Sequence, residues 1–387
     1  MPRAGLLQCS QHMVRTSNIR GLQAITLLLS DASAMLSYVG AANTALWPAN
    51  RAASTSGAFS RALLRQRQQQ RQRQHRSAQA SLSSAAVSPP QTAGNDQQVA
   101  ENDSVNRLRE LVDSAGGRVV ALTGAGMSTD SGIPDYRGPK GSYSRGHKPM
   151  THDEFISSEA NRKRYWARAT FGWNSFSKAG PNTAHFALAA LEEAGKVGGV
   201  ITQNVDGLHQ KSGSRNVVDL HGRMDKIECM CCGVEACRHE YQAQLATLNA
   251  PWMDKHAEAL GMGDKPKSGG DPDVRLRADG DADVEPGERL KDFVVPECSE
   301  CGGFLKPSVV FFGDNIPRPR VEETFRMVDD SSLLIAAGSS LHVYSAFRLV
   351  KRAADAGKSV AIINLGETRA ERSGLDLLKV SSFITIV

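Results

Sequence analysis

The stretch Arg118-Val119-Val120-Ala121-Leu122-Thr123-Gly124-Ala125-Gly126-Met127-Ser128 passes from an unbroken apolar run into a glycine turn. Apolar residues without alternation predict a strand covered on both faces, as in a parallel sheet. Gly124 and Gly126 let the backbone approach a pyrophosphate, and a helix beginning after Met127 would aim its N-terminal amides at the anion. Similar buried-strand patterns fall at residues 199–202, 217–220, 308–312, 333–337 and 359–364, and helical periodicity at 182–194, 320–328 and 346–356. Ser104 is placed to cap a helix through Leu108, Leu111 and Val112. This alternation predicts an α/β fold with a doubly wound parallel sheet, its ligands beyond the carboxyl ends of the strands.

The chemistry-bearing residues fall at those ends. Ser131-Gly132-Ile133-Pro134-Asp135-Tyr136-Arg137-Gly138 packs glycine, proline, an acid, an aromatic and a cation into one segment, either a lid over a ligand or a plain surface loop. Gln203-Asn204-Val205-Asp206 leaves a strand, so a carboxylate could hold a ribose and the amides a water or a carboxamide. The same residues also suit an Asx-turn without a ligand. His221, followed by Gly222, ends the strand pattern at 217–220; it is a candidate general base, with a core hydrogen-bonding role as the alternative.

Two Cys-x-x-Cys pairs, Cys229/Cys232 and Cys298/Cys301, carry the spacing of a tetrahedral zinc site. Four thiolates close the coordination shell, so the role expected is structural. Cys231 and Cys237 are read as bystanders, and a redox pair is disfavoured by the separation of the two motifs. The segment between the pairs, residues 261–288, is rich in Asp, Gly and Pro and reads as irregular. A small zinc-binding domain at about residues 223–305 is therefore expected as an insertion in the larger one.

The chain has 387 residues, 40% of them hydrophobic, and a net charge of +5. That charge is concentrated: residues 1–100 hold ten Arg and no Lys, with Asp31 and Asp96 as their acids. Arg-, Ser- and Ala-rich, acid-poor composition reads as an organelle transit peptide and disordered linker over residues 1–98, or as a basic tail. The Gln/Arg tract at 65–76 has no interleaved aromatics to stack on bases, so no specific nucleic acid is expected. No apolar run reaches the roughly 18 to 20 residues of a membrane span. Seven cysteines, six of them in two clusters, fit a reducing compartment better than a disulfide scaffold.

In this order, the motifs resemble the sirtuin family of NAD-dependent protein deacylases over roughly residues 103–380. The resemblance rests on Gly124-Ala125-Gly126 with Ile133-Pro134-Asp135-Tyr136-Arg137, Gln203-Asn204-Val205-Asp206, His221-Gly222, the four cysteines, Val309-Val310-Phe311-Phe312-Gly313, Gly338-Ser339-Ser340-Leu341 and Asn364-Leu365-Gly366. It implies a catalytic domain over 103–387 with a Rossmann-like NAD domain, one structural zinc and acyl-lysine proteins as partners, acting as a monomer. Tyr165-Trp166-Ala167-Arg168, Gly172-Trp173 and the run from Leu305 look like the class II mitochondrial branch with lipoamidase and ADP-ribosyltransferase members, which points to the mitochondrial matrix, a chloroplast being the alternative.

The resemblance also assigns roles. Gly124, Ala125, Gly126, Ser128, Asp135, Tyr136, Arg137, Gln203, Asn204, Val205 and Asp206 would hold NAD, with Gly338, Ser339, Ser340, Asn364, Leu365 and Gly366 on its adenosine half. His221 would deprotonate a ribose hydroxyl while Asn204 and Asp206 hold the ribose and position water, releasing nicotinamide, lysine and O-acyl-ADP-ribose. Val310, Phe311 and Gly313 would pair with the substrate peptide as an added strand. Tyr165 and Arg168, three apart on a helix, would read the carboxylate of an acidic acyl chain. Relatives continue past Lys379 with an adenine-contacting loop and short helix, where this sequence has residues 380–387, so weaker adenine binding is expected. Mono-ADP-ribosylation from the same NAD site, and a noncatalytic zinc-ribbon binding nucleic acid, are the competing readings.

Overall fold

The computed structural model describes residues 93–139, 141–256, 276–282 and 287–380. Residues 1–92 of the segment read as transit peptide, most of the Asp/Gly/Pro stretch and residues 381–387 lie outside them. The helices are α1 (Ala93–Ala115), α2 (His152–Ser157), α3 (Glu159–Lys178), α4 (Thr183–Glu193), α5 (Leu208–Lys211), α6 (Arg238–Leu248), α7 (Ala250–His256), α8 (Arg318–Asp330), α9 (Tyr344–Asp355) and α10 (Arg369–Arg372). The strands are β1 (Val119–Thr123), β2 (Gly199–Thr202), β3 (Val217–Asp219), β4 (Gly222–Cys229), β5 (Glu235–Cys237), β6 (Leu305–Val309), β7 (Leu333–Ala337), β8 (Ser359–Ile363) and β9 (Leu378–Val380).

Six strands form one parallel sheet in the order β3-β2-β1-β7-β8-β9. β1 and β7 are buried at every residue, which is why both read as continuous apolar runs. On one face Met327 and Val328 of α8 and Phe347 and Val350 of α9 pack with Val120, Leu122, Leu334 and Ile362. The chain order changes direction at the β1/β7 boundary, and open parallel sheets place their ligands at such a switch point.

Three expectations need correction. Residues 308–312 do not supply a strand of the parallel sheet: β6 ends at Val309 and runs antiparallel to β4 in a separate three-stranded sheet, β5-β4-β6. α1 begins at Ala93, so Ser104 lies inside the helix and residues 93–98 are helical; its Gln/Asn/Glu-rich first half has no apolar stripe to announce it. The glycine turn is followed by a 3₁₀ helix over Ala125–Ser131, beginning before Met127.

The small sheet is anchored by α3. Trp166 is fully buried and its indole N–H donates to Leu305 O at 3.1 Å, while Tyr165 and Phe171 share a core with Tyr241, Leu245, Trp252 and Phe293. The Arg238 guanidinium lies over the rings of Trp166 and Trp173, 5.0 and 4.7 Å from their centroids.

A buried histidine pair joins α4 and α5 to β1. The rings of His185 and His209 lie 4.9 Å apart, and His209 Nε2 meets Thr123 Oγ1 at 2.9 Å. Burial lowers His185 from 6.5 to about 4 and His209 from 6.5 to about 3, the second with help from its neighbour. The unfolded chain therefore takes up these protons first. Their contribution to stability is complete above pH 6.5 and declines by about 1.4 kcal/mol per pH unit per histidine as pH falls toward the folded values. Denaturant midpoints should fall steeply from about pH 7 to pH 5, and less steeply in His185→Gln. Parallel pH profiles for the two proteins would contradict this assignment.

Candidate functional site

The loops leaving β1 and β7 interlock at the switch point. Gly124 N–H donates to Ala337 O at 3.0 Å and Gly126 N–H to Gly338 O at 2.9 Å. A Cβ on Gly124 would come within 2.7 Å of Ser339 Cβ, and one on Gly126 within 2.9 Å of Gly338 O. Gly338 itself has φ +61°, with no room for a side chain beside Met127 N. The glycines are thus required first by the joining of two strand exits. Leu341, buried at φ 56°, holds the next turn in a conformation unusual for a side chain of its kind.

Above this junction opens a cavity of about 1010 Å³. Its walls include Ala125, Gly126, Asp135, Tyr136, Arg137, Gln203, Asn204, Val205, His221, Gly338, Ser339, Ser340, Asn364, Leu365 and Gly366, which the sequence reading had grouped, and Val310, Phe311 and Gly313 at one end. Gly124, Ser128 and Asp206 are not in the wall. Asp206 is turned inward: Ser128 Oγ donates to its Oδ2 at 2.7 Å and Leu208 N–H to its Oδ1 at 2.9 Å. Asn204 Nδ2 donates in turn to Gly124 O and Ser128 Oγ, both at 3.0 Å. Asp206 thus braces Ser128, which in turn holds Asn204.

Residues 135–143 hold one another. Asp135 Oδ1 accepts from Gly138 N–H at 2.9 Å, and the Arg137 guanidinium sits 4.8 Å over the ring of Tyr143. Tyr136 is deprived of solvent, which holds its hydroxyl well above the ordinary tyrosine range, with Asp279 pushing the same way. Across the cavity Gln203 Nε2 donates to Ser339 Oγ at 2.8 Å, tying the β2 exit to the β7 exit.

His221 lies between β3 and β4. Its Nδ1 is 3.0 Å from Gln203 O and its Nε2 is 2.9 Å from Ser345 Oγ. A carbonyl only accepts, so Nδ1 carries the proton and Nε2 presents its lone pair to the Ser345 hydroxyl. Burial pulls this imidazole down to about 4, Arg320 and Arg348 add to the shift and the Gln203 carbonyl opposes it. At neutral pH the ring is uncharged, with Nε2 able to accept a proton. Ser345 and Asp279, both in the cavity wall, were missed from sequence. Ser345 could have been suspected as a hydroxyl in the first turn of a helix entering from a strand-exit loop.

Tyr165 and Arg168 are not on the surface of α3 but buried beneath the cavity, around a second space of about 50 Å³ with Met224, Asp279, Asp281 and residues 309–312. Arg168 Nε pairs with Asp281 Oδ2 at 2.9 Å, and Arg277 Nη1 donates to the same oxygen at 3.1 Å. Burial raises the Asp281 carboxyl to about 7 against the pull of Arg168. The carboxylate expected from an acyl chain at Arg168 is thus met here by one from the protein itself.

The Sγ atoms of Cys229, Cys232, Cys298 and Cys301 all lie within 4.8 Å of one another, with Cys229–Cys301 at 3.5 Å and Cys232–Cys298 at 3.8 Å. A tetrahedron with zinc–sulfur bonds of about 2.3 Å has edges of about 3.8 Å, so the thiolates fit zinc as they stand. Cys231 and Cys237 are outside this cluster. A Cβ on Gly303 would reach Cys231 Sγ at 2.6 Å, so the second knuckle needs that glycine to close.

A ligand cavity at the switch point of a parallel sheet, beside a closed four-thiolate site, defines a nucleotide-binding α/β protein with a structural metal. Within that class the Sir2 family model matches residues 124–345, and the chain belongs to the Sir2 family. It is 46% identical to NAD-dependent protein deacylase Sirt4 of Drosophila melanogaster over 70% of this chain and 81% of that one. It is 42% identical to NAD-dependent protein deacylase SRT2 of Arabidopsis thaliana over 75% and 78%. Among solved structures, Sir2 with a p53 peptide and NAD⁺ superposes with a TM-score of 0.51 at 31% identity, covering 71% of this chain and 92% of that one. A Sir2 variant with deacetylated p53 peptide and 3′-O-acetyl-ADP-ribose gives 0.53 at 31% identity, covering 72% and 92%.

Among the described residues no helix is long and apolar enough to cross a membrane. Cys232→Ser should lower bound zinc from one ion per chain to less than a tenth of that, measured by metal analysis, and bring forward unfolding of the small sheet. Full zinc retention in this variant would overturn the ligand set.

Proposed function

We propose that this chain removes acyl groups from protein lysine while consuming NAD, releasing nicotinamide and O-acyl-ADP-ribose. The observation that carries the reading is the neutral imidazole of His221 in the wall of a cavity at the sheet's switch point, its Nε2 an acceptor. NAD supplies an anomeric carbon from which nicotinamide departs. Gly126, Gly338 and Ser339 bound the phosphate and adenosine side, with Asn364, Leu365 and Gly366 beyond them. Asn204, held by Gly124 O and Ser128, and Gln203, held by Ser339, line the ribose and nicotinamide side with Asp135.

His221 acts as the general base. Its Nδ1–H is locked on Gln203 O, which aims Nε2 at the reacting hydroxyl, and Ser345 holds that lone pair until substrate takes its place. The peptide lies along residues 310–313. Val310 N–H already donates to His221 O and Phe312 O accepts from His152 N–H, so a substrate strand uses the remaining groups of that edge. The acyl chain descends past Tyr136 and Val310 toward Tyr165 and Arg168, the residues where the two cavities meet or end.

Kinship with Sirt4 supports placing the chain in the branch with lipoamidase and ADP-ribosyltransferase members, and the Arg-rich, acid-poor residues 1–98 support delivery to the mitochondrion. The test is NAD turnover with acyl-lysine peptides from acetyl to lipoyl, followed by mass spectrometry. O-acyl-ADP-ribose is the expected product, and ADP-ribosylated protein without deacylation would replace the reading by its competitor. His221→Phe should lower kcat about 10²- to 10⁴-fold, the range for loss of a general base. Undiminished deacylation in that variant would remove His221 from the mechanism. With a base held near 4 in the free enzyme, kcat/KM should stay flat on the acid side until well below pH 6.5.

A further inference from the structure

The second residue of β6 is a lysine, yet Lys306 is only 2% exposed. Its side chain reaches toward the ledge at residues 310–313: Nζ donates to Val309 O at 2.6 Å and to Pro307 O at 3.2 Å. The same ammonium lies 5.0 Å from the centre of the Phe311 ring and 3.7 Å from Asp314 Oδ2. One charge therefore meets the start, the middle and the end of the segment 309–314. Glu228, directly opposite Lys306 in the ladder of β4 and β6, adds a carboxylate oxygen at 3.2 Å. Asp314 is also held by His152, whose Nδ1 lies 3.3 Å from Oδ2 and whose N–H donates to Phe312 O at 2.9 Å.

We propose that Lys306 is a positioning residue for the protein substrate: its buried ammonium pins residues 309–314 in the shape that a peptide strand pairs with. The proposal rests on reading residues 310–313 as the peptide ledge. The strand ladder does not hold this segment by itself, because β6 pairs with β4 only as far as Val309. Beyond that point the main-chain bonds among the described residues run from Val310 N–H to His221 O, from His152 N–H to Phe312 O and from Asp314 N–H to Phe311 O. Between these points the pin comes from one side chain, and a charged donor makes the stronger kind of hydrogen bond.

Lys306→Met fills nearly the same space without the charge, so it removes the pin rather than opening a void. The segment then populates other shapes, and peptide affinity falls with the fraction of molecules that keep the right one. At saturating peptide the ledge is ordered again, so the loss falls on KM for the peptide more than on kcat. NAD meets Gly126, Gly338 and Ser339 on another wall of the cavity, so its KM should not follow.

The test measures kcat and both KM values with NAD and the acyl-lysine peptide, from acetyl to lipoyl, that the wild-type chain turns over fastest. Zinc content shows that the small sheet has formed. Lys306→Met should raise KM for the peptide about tenfold or more, the scale for loss of a hydrogen bond from a charged donor. Its kcat and its KM for NAD should stay within about threefold of wild type, and Lys306→Arg, which keeps charge and donors, should recover most of the peptide affinity. Asp314→Asn should raise peptide KM about threefold, and adding it to Lys306→Met should cost nothing further, since both cut one tie. An unchanged peptide KM in Lys306→Met, or equal rises for peptide and NAD, would overturn the proposal while leaving deacylation intact. If Lys306→Met does not fold, Asp314→Asn decides alone, and an unchanged peptide KM there overturns the proposal. Absence of wild-type turnover of every acyl peptide would instead overturn the deacylase reading, and this proposal with it.

Discussion

The contact on which the rest depends is the meeting of two bare backbones, Gly124-Ala125-Gly126 and Gly338, at the carboxyl edge of the parallel sheet. Adjacent parallel strands run at about 4.8 Å, and their exits must diverge to leave a crevice. Here they are instead clasped for one turn before diverging, so the cavity floor is made of main chain held by main chain. One line of polar groups then hangs from that clasp: Gln203 reaches Ser339, Asn204 reaches Gly124, and Ser128 carries the line on to Asp206. The site is therefore organised in two layers, with Gly126, Gly338, Gln203 and Asn204 in the cavity wall and the Asp206 carboxylate behind them.

The zinc cluster plays no part in that arrangement, yet it decides where the other wall stands. Cys229 ends β4 and the Cys298/Cys301 knuckle leads into β6, so the thiolates fasten both strands of the small sheet at the end remote from His221. At the near end Gly222 faces Val309, and its lack of a side chain leaves room for the carbonyl of Ser308. A sheet of three short strands has little core of its own; α3, through Trp166 and the two stacked Arg238 contacts, supplies it.

What could be read from the sequence follows burial. β1, β2, β7 and β8 were placed to within a residue because strands covered on both faces need unbroken apolar runs. β6 was displaced because Lys306 and Pro307 interrupt it, and its apolar extension lies past its end. Lys306 is nevertheless buried, its ammonium satisfied by Val309 O at 2.6 Å and Glu228 at 3.2 Å. β4 was not seen because an irregularity between Gly222 and Ile227 breaks the two-residue period. The residues that line the cavity were legible as strand-exit motifs, His221 among them, and the cysteine cluster was legible from its spacing. The inward turn of Asp206 and the arrival of Asp281 on Arg168 were not, since both depend on contacts between segments far apart in the chain. An Asp/Gly-rich stretch carries no mark of where it will dock.

The link between the carbonyl of His221 and the amide of Val310 has a mechanical consequence. His221 and Val310, the first a candidate base and the second part of the ledge proposed for the peptide, are thereby joined just beyond the ends of β4 and β6. A peptide held on that ledge, as proposed, would bear on the same backbone unit that aims Nε2. Binding on the protein side of the cleft would then bear on the alignment of the imidazole on the nucleotide side.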